Sequence, residues 1–286
     1  MKAIICTCIK DENNYLSEWI EWHLGLGFEH IYLFEDYGSR SHRDITDRYN
    51  NVTLLSIDVA KDEINTVEKR QRKVYSYSLK AYKDQYDWIA FIDADEFVEF
   101  EEGYNLEKLL SEHSEYPGII LSWRLYGANG RVSKPTGGLV ESHPEPDDSI
   151  DYGKLWYGAE WSVKSFANLR KSPVVKHIHL IEGAVNMNGG NTPEYKIFHK
   201  AWIRHYYTKS WEEWCDRIFQ RGDLCNGNRL LAQFFDVNPG MEHLREELIA
   251  SVADRIPNGT YWLDRKRGLI AGGNVKKIMA LNYEKN

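Results

Sequence analysis

The chain has 286 residues and a mass of 33.4 kDa, enough for one large α/β domain with an appendage. A net charge of -7 gives no overall basic footprint for a phosphate backbone and argues against a nucleic-acid partner, while 42% hydrophobic against 28% charged residues excludes a disordered chain. Cys6, Cys8, Cys215 and Cys225 are too scattered for a disulfide framework and include no C-x-x-C pair, so reduced thiols are expected. No apolar run approaches the roughly 20 residues of a membrane span. The N-terminal residues lead directly into a strand-like segment, and the expected location is cytoplasmic.

Residues 3–9 read as a first strand, broken by Lys10-Asp11-Glu12-Asn13-Asn14. Leu16, Trp19, Ile20, His23 and Leu24 then recur at helical spacing, with Gly25 and Gly27 as stop signals. His23, on that apolar stripe, reads as a hydrogen-bonded core residue rather than a ligand. Residues 30–34 form a second strand. The turn Glu35-Asp36-Tyr37-Gly38-Ser39 after it is either an ordinary solvated turn or a pair of acids placed to meet a base or ribose. A short helix at 44–49 and a third strand at 52–59 continue a β, α alternation that predicts a parallel sheet.

The next helix is expected over 66–82, with Val67, Val74, Tyr77, Ser78 and Ala81 on one face. Its basic cluster Lys69-Arg70-Gln71-Arg72-Lys73 is a solvated face unless Arg70 or Arg72 reaches a diphosphate. The helix leads to Trp88-Ile89-Ala90-Phe91-Ile92-Asp93-Ala94-Asp95-Glu96-Phe97, where a buried-strand pattern runs straight into three carboxylates. Ligands bind at the carboxyl edge of open α/β sheets, and Asp93 and Asp95, two residues apart, can aim at one point there. Hard oxygen donors so placed suit Mg²⁺ or Mn²⁺ held with a ligand's phosphates. The alternative is an acidic loop whose Asp95 caps a following helix.

A helix at 106–113 with Asn105 as N-cap and a strand at 118–125 follow. Trp123 and Tyr126 either wall a sugar site or pack beneath a loop. The stretch 131–158, rich in Gly, Pro, Asp and Ser, reads as a flap or acceptor loop. Strands are expected at 161–166 and 174–181, the latter with His177 and His179 on one face, and at 203–207, which contains His205. Ser210-Trp211-Glu212-Glu213 is a capping-box pattern, giving Glu213 a structural role as N3 of a helix running to about 220. Helices at 230–235 and 241–256 follow. The tail, with Arg265-Lys266-Arg267 and Lys276-Lys277, either braces the core or touches a membrane surface.

Several stretches together resemble the GT-A glycosyltransferases of the family 2-like and family 92-like group. Lys10-Asp11-Glu12 with Tyr15-Leu16-Ser17-Glu18-Trp19-Ile20-Glu21-Trp22-His23 and Gly25-Leu26-Gly27 is similar to its opening signature, and His30-Ile31-Tyr32-Leu33-Phe34 to the strand that enters its acidic turn. The 88–97 stretch is similar to its D-x-D-E-F strand, and Trp123-Arg124-Leu125-Tyr126-Gly127 to its W-x-x-F-G element. His205-Tyr206-Tyr207-Thr208-Lys209-Ser210 followed by an acidic helix and Arg221-Gly222 is similar to its closing block. The likeness spans residues 4–222 and rests on the order of five motifs. It departs in an extra residue in the 35–39 turn and in 132–158, which has no counterpart.

The resemblance implies a GT-A type, Rossmann-like, mostly parallel α/β sheet flanked by helices. A catalytic domain over 1–222 would carry a helical C-terminal extension over 223–286. It implies a metal-dependent inverting transfer of a hexose from a nucleotide sugar, a UDP-sugar, to a glycan or lipid-linked saccharide in polysaccharide biosynthesis, at the inner face of the membrane. Donor contacts are implied for Lys10, Glu35, Asp36, Arg70, Gln71, Asp93, Ala94 and Asp95, and acceptor contacts for Trp123 and Tyr126. A Mn²⁺ or Mg²⁺ ion would sit on Asp95 and His205 together with Asp93, which the resemblance places on the metal, the ribose or the donor sugar. Glu213 is the candidate base by analogy, with Glu182, Glu160 and Asp151 as alternatives. Two other readings compete. A sugar-phosphate nucleotidyltransferase would want a Gly-rich phosphate loop, and residues 9–15 contain no glycine. A carbohydrate-binding module would leave the acids at the sheet edge unexplained.

Overall fold

The computed structural model describes residues 1–36, 38–57, 67–148, 150, 152, 161–187, 198–219, 231, 233–252, 261–264 and 268–271. The chain divides into two compact units, Met1–Arg124 with Trp156–His205, and Leu125–Leu155 with Tyr206–Asn286.

The first unit begins with β1 (Ala3–Ile9), α1 (Leu16–Gly25), β2 (His30–Glu35), α2 (Arg43–Thr46), β3 (Val52–Ser56), α3 (Val67–Ala81) and β4 (Trp88–Phe91). The four strands lie in the order β3-β2-β1-β4, all parallel, as the alternation predicts. Because β2 and β3 lie on one side of β1 and β4 on the other, the direction of winding reverses between β1 and β4. That reversal opens a crevice at the carboxyl ends of the two strands. Ile4, Ile5, Ile89 and Ala90 are fully buried, as expected of strands covered on both faces.

Beyond β4 the sheet becomes mixed. It continues through β5 (Glu96–Phe100), β6 (Gly118–Leu125), β7 (Val163–Asn168), β10 (Val185–Asn186) and β11 (Ala201–His205). The order β4-β7-β6-β11-β5 places β7 antiparallel to both β4 and β6, and β5 antiparallel to β11. Helix α4 (Leu106–Glu112) joins β5 to β6 and is capped as expected, Asn105 Oδ1 accepting the Lys108 amide at 2.9 Å.

One alternative falls and two expectations change. Asp95 caps no following helix: Glu96-Phe97-Val98-Glu99-Phe100 is a strand, because it pairs residue by residue with β11. The stretch 174–181 is not one strand but a hairpin of β8 (Val175–His177) and β9 (Leu180–Ile181). The buried face of α3 is Gln71, Val74, Tyr75 and Ser78, at i, i+3, i+4 and i+7, and Tyr77 is 55% exposed. A glutamine therefore occupies a core-facing position.

The second unit contains α5 (Leu139–Ser142), within the expected loop, then α6 (Trp211–Phe219), α7 (Gln233–Val237) and α8 (Arg245–Ser251). The stretch beyond 223 also forms an antiparallel hairpin of β12 (Tyr261–Asp264) and β13 (Gly268–Ala271). Asn238 ties this unit together, its Nδ2 donating to Thr208 Oγ1 at 3.0 Å and to the Phe234 carbonyl at 2.7 Å. Gly127 is needed beside it, since a Cβ there would lie 2.5 Å from Asn238 Oδ1. Among the described residues, no helix is long and apolar enough to cross a membrane.

Candidate active site at the carboxyl edge of β4

The chain after β4 turns on itself at Asp93-Ala94-Asp95-Glu96. The Glu96 amide donates to the Asp93 carbonyl at 3.0 Å, and the Asp93 amide donates to Glu96 Oε2 at 2.8 Å. Trp19 of α1 anchors the turn from below, its Nε1 donating to the Glu96 carbonyl at 2.7 Å.

The strand register then assembles the site. β11 runs antiparallel to β5 with His205 directly opposite Glu96, and facing residues on an antiparallel pair are close neighbours. Asp95, Glu96 and His205 offer ligand atoms that all lie within 4.8 Å of one another, and all three residues are buried. Asp95 Oδ1 is 3.8 Å from His205 Nε2. Trp123 of β6 lies behind His205, ring centroids 4.2 Å apart, and His179 packs against Trp123 at 5.2 Å. His179 is pushed well below the usual imidazole range by burial first and then by the nearby Lys164 charge. Neutral, its Nδ1 donates to the Val163 carbonyl at 2.9 Å.

Asp93 is held differently. Its Oδ2 accepts from Lys164 Nζ at 2.6 Å and its Oδ1 from Gln71 Nε2 at 3.2 Å. Lys164 arrives on β7, whose antiparallel register against β4 brings it alongside the acidic turn. Its ammonium is fully buried and also lies 3.6 Å from Glu96 Oε2. Burial works against that charge, yet Asp93, Glu96 and Asp95 together hold its pKa above the ordinary lysine value. Burial pushes the Glu96 carboxyl well above the usual carboxylate range; Lys164 opposes the rise, and Asp93 and Asp95 add to it. The fit to a cation rests on Glu96 Oε1, which is buried with no hydrogen-bond partner among the described residues. An imidazole with two carboxylates also suits Mn²⁺ chemically.

A second constellation lies at the ends of β1 and β2. Asp36, buried, is paired with Arg70 of α3, whose Nε is 2.8 Å from Oδ1 and whose Nη2 donates to Oδ2 at 2.8 Å. Glu35 Oε1 accepts from both the amide and Nδ1 of His42, at 3.0 and 2.8 Å. His42 Nε2 in turn accepts the Glu12 amide at 3.1 Å, and Asn13 Nδ2 donates to the Ser41 carbonyl at 2.9 Å. The loops after β1 and β2 are thereby joined. Lys10 is half-buried at the end of β1, and Ala94 is buried in the turn.

The structure thus brings Asp95 and His205 together with Glu96, while the Asp93 side chain bonds Lys164 and Gln71. Trp123 lines the same cluster. Tyr126 belongs to the second unit, buried against Tyr206 with centroids 5.1 Å apart. Glu213 also lies there and completes the capping box: Ser210 Oγ donates to its Oε2 at 2.7 Å, and its amide donates to Ser210 Oγ at 3.3 Å. Glu182 is exposed in the turn after β9, and Glu160 and Asp151 lie outside the described residues. Sequence reasoning gave no role to Lys164 or Glu96. The available signal for Lys164 was a lysine inside the apolar run Val163-Lys164-Ser165-Phe166; for Glu96 it was a third acid adjoining the pair.

A family model for glycosyltransferase family 92 matches residues 2–254. The chain belongs to glycosyltransferase family 92. A family 92 protein of Oryza sativa subsp. japonica is 25% identical over 220 residues, covering 76% of this chain and 35% of its own length. One from Ricinus communis is 24% identical over 230 residues, with 76% and 37% covered. This family 92 chain therefore spans about a third of the length of the curated relatives it matches. Among solved structures it is similar to S. aureus TarS 1-349 in complex with UDP, at 10% identity and a TM-score of 0.41, with 90% of this chain and 76% of that one covered.

Proposed function

We propose that the chain is a metal-dependent inverting glycosyltransferase that moves a sugar from a nucleoside-diphosphate sugar, a UDP-sugar, to a hydroxyl of a glycan or lipid-linked saccharide. The observation that carries this reading is the convergence of Asp95, Glu96 and His205 at the carboxyl edge of β4, in a chain of glycosyltransferase family 92. A divalent cation there would be held by Asp95, Glu96 and His205, and when bound it neutralises charge on a leaving diphosphate.

The chain's own residues do the rest. Asp93, the more exposed acid of the turn, accepts a hydrogen bond from a hydroxyl of the donor. Asp36 and Glu35, fixed by Arg70 and His42, face the nucleoside, and Arg70 and Gln71 serve the donor's diphosphate. Glu213 takes the acceptor's proton as the attacking oxygen displaces the diphosphate, a contribution of about 10² to 10⁴ in rate for a positioned base. The buried Trp123, with His179 packed against it, excludes water behind the cluster.

The deciding experiment incubates the protein with a panel of nucleotide sugars and Mn²⁺, with and without chelator, and determines the product anomer by NMR. Turnover of a UDP-sugar with inversion is expected, abolished by chelator and reduced at least 100-fold, on the order of one lost charge-stabilising group, by Asp95→Ala. Turnover indifferent to both treatments removes the metal assignment.

A further inference from the structure

We propose that Lys164 is a built-in counter-cation that divides the acidic turn between two tasks, holding Asp93 for the donor's hydroxyls while Asp95 and Glu96, with His205, hold the divalent cation. The inference rests on the metal-dependent reading above and deepens it by assigning a positioning residue.

The turn places three carboxylates within four consecutive residues at the end of a buried strand. Without a fixed counter-charge they would repel one another, and all three would compete for any cation that arrived. Lys164 breaks that symmetry. Its ammonium is 0% exposed and touches Asp93 Oδ2 at 2.6 Å but only approaches Glu96 Oε2 at 3.6 Å. Gln71, on the buried face of α3, takes the other Asp93 oxygen at 3.2 Å. With both oxygens engaged from two directions, the Asp93 carboxylate is fixed in orientation. It is also the outermost of the group, its side chain 31% exposed against 5% for Asp95 and 0% for Glu96. Exposure, partners and register all separate Asp93 from the set that converges with His205.

A purely structural lysine would neutralise buried charge without deciding which acid binds metal. Mn²⁺ binding to the full chain, followed by electron paramagnetic resonance in the absence of nucleotide, distinguishes the two roles. Asp93→Asn is expected to change Mn²⁺ affinity less than threefold, whereas Asp95→Asn weakens it at least tenfold. Lys164→Met frees Asp93 and removes a repelling charge, so Mn²⁺ should bind at least tenfold tighter, and adding Asp93→Asn to that variant should reverse the gain. Lys164→Arg, which keeps the charge, should stay within threefold of wild type. Circular dichroism in chelator checks that each variant folds; if Lys164→Met does not, Lys164→Gln, which keeps a hydrogen-bond donor for Asp93 without the charge, takes its place with the same expected gain. The inference is overturned if Asp93→Asn costs as much Mn²⁺ affinity as Asp95→Asn, or if folded Lys164→Met binds no tighter than wild type. Wild-type protein that takes up no Mn²⁺ overturns the metal-dependent reading itself, and this inference with it.

Discussion

His23 shows how a titratable residue on an apolar stripe can be wholly structural. Its ring is buried, Nδ1 donating to the Trp19 carbonyl at 2.8 Å and Nε2 accepting the Val98 amide at 3.2 Å. Both nitrogens are thus used by the neutral form, and burial lowers its pKa to about 3. The unfolded chain, at the ordinary imidazole value, binds a proton that the folded chain refuses. The stability His23 contributes is therefore fully present above about pH 6.5 and is lost as pH falls from there toward 3, by about 1.4 kcal/mol per unit. Urea midpoints at pH 7 and pH 5 should drop further for wild type than for His23→Leu, by the equivalent of about 2 kcal/mol. The sequence disclosed this residue's role because its reason is local, a histidine at helical spacing among Leu16, Trp19 and Ile20. Lys164 stayed hidden for the opposite reason. Its partner Asp93 is 71 residues away, and a lysine in a strand ordinarily points to solvent.

At the level of elements, Glu213 tests whether one side chain serves two purposes. As N3 of the α6 capping box it accepts from Ser210, and glutamine can do the same. Glu213→Gln should therefore leave the urea midpoint nearly unchanged, while turnover falls about 10² to 10⁴ if the carboxylate is the base. Ser210→Ala should do the reverse, costing about 1 kcal/mol of stability with turnover retained per folded molecule. In β6, a Cβ on Gly118 would sit 2.6 Å from the Phe166 carbonyl and 3.1 Å from Ala184 Cβ and Ile181 Cγ2. Gly118→Ala should cost about 1–3 kcal/mol in a denaturation experiment, because backbone rather than a flexible side-chain end has to give. Strands such as Ala3–Ile9 and Gly118–Leu125 were legible from their apolar runs, and α4 and α6 from their caps. β5 was not, because Glu96 and Glu99 disguise its alternation until the pairing with β11 buries Glu96. The β8–β9 hairpin was missed because its turn has neither glycine nor proline to mark it.

For the molecule as a whole, the parallel half of the sheet followed from the β, α alternation, whereas the mixed half did not. Its order β4-β7-β6-β11-β5 joins strands separated by as much as about 110 residues, information that local pattern does not contain. The same separation makes the site a property of the folded state. A cation that binds the native cluster and not the unfolded chain should raise overall stability by about 2.7 kcal/mol at a hundred times its dissociation constant. Thermal melts with Mn²⁺ should therefore rise by several degrees for wild type and by half of that or less for Asp95→Asn and Glu96→Gln.

The pairing of Glu96 with His205 makes this cluster obey a parity rule. Side chains on a strand alternate between faces, so an even shift of β11 against β5 preserves which residues look inward and an odd shift inverts them. A single residue inserted after Ile203, with the start of β11 held in place, would set Arg204 opposite Glu96 and carry the imidazole to the far side. The acids would then meet a guanidinium and be neutralised from within, a lesion that no conservative change at His205 itself would reproduce. An even change keeps the imidazole on the acids' face but moves it about 6.7 Å along the strand, out of reach of Glu96, so the cluster needs the register of this strand pair as well as its parity.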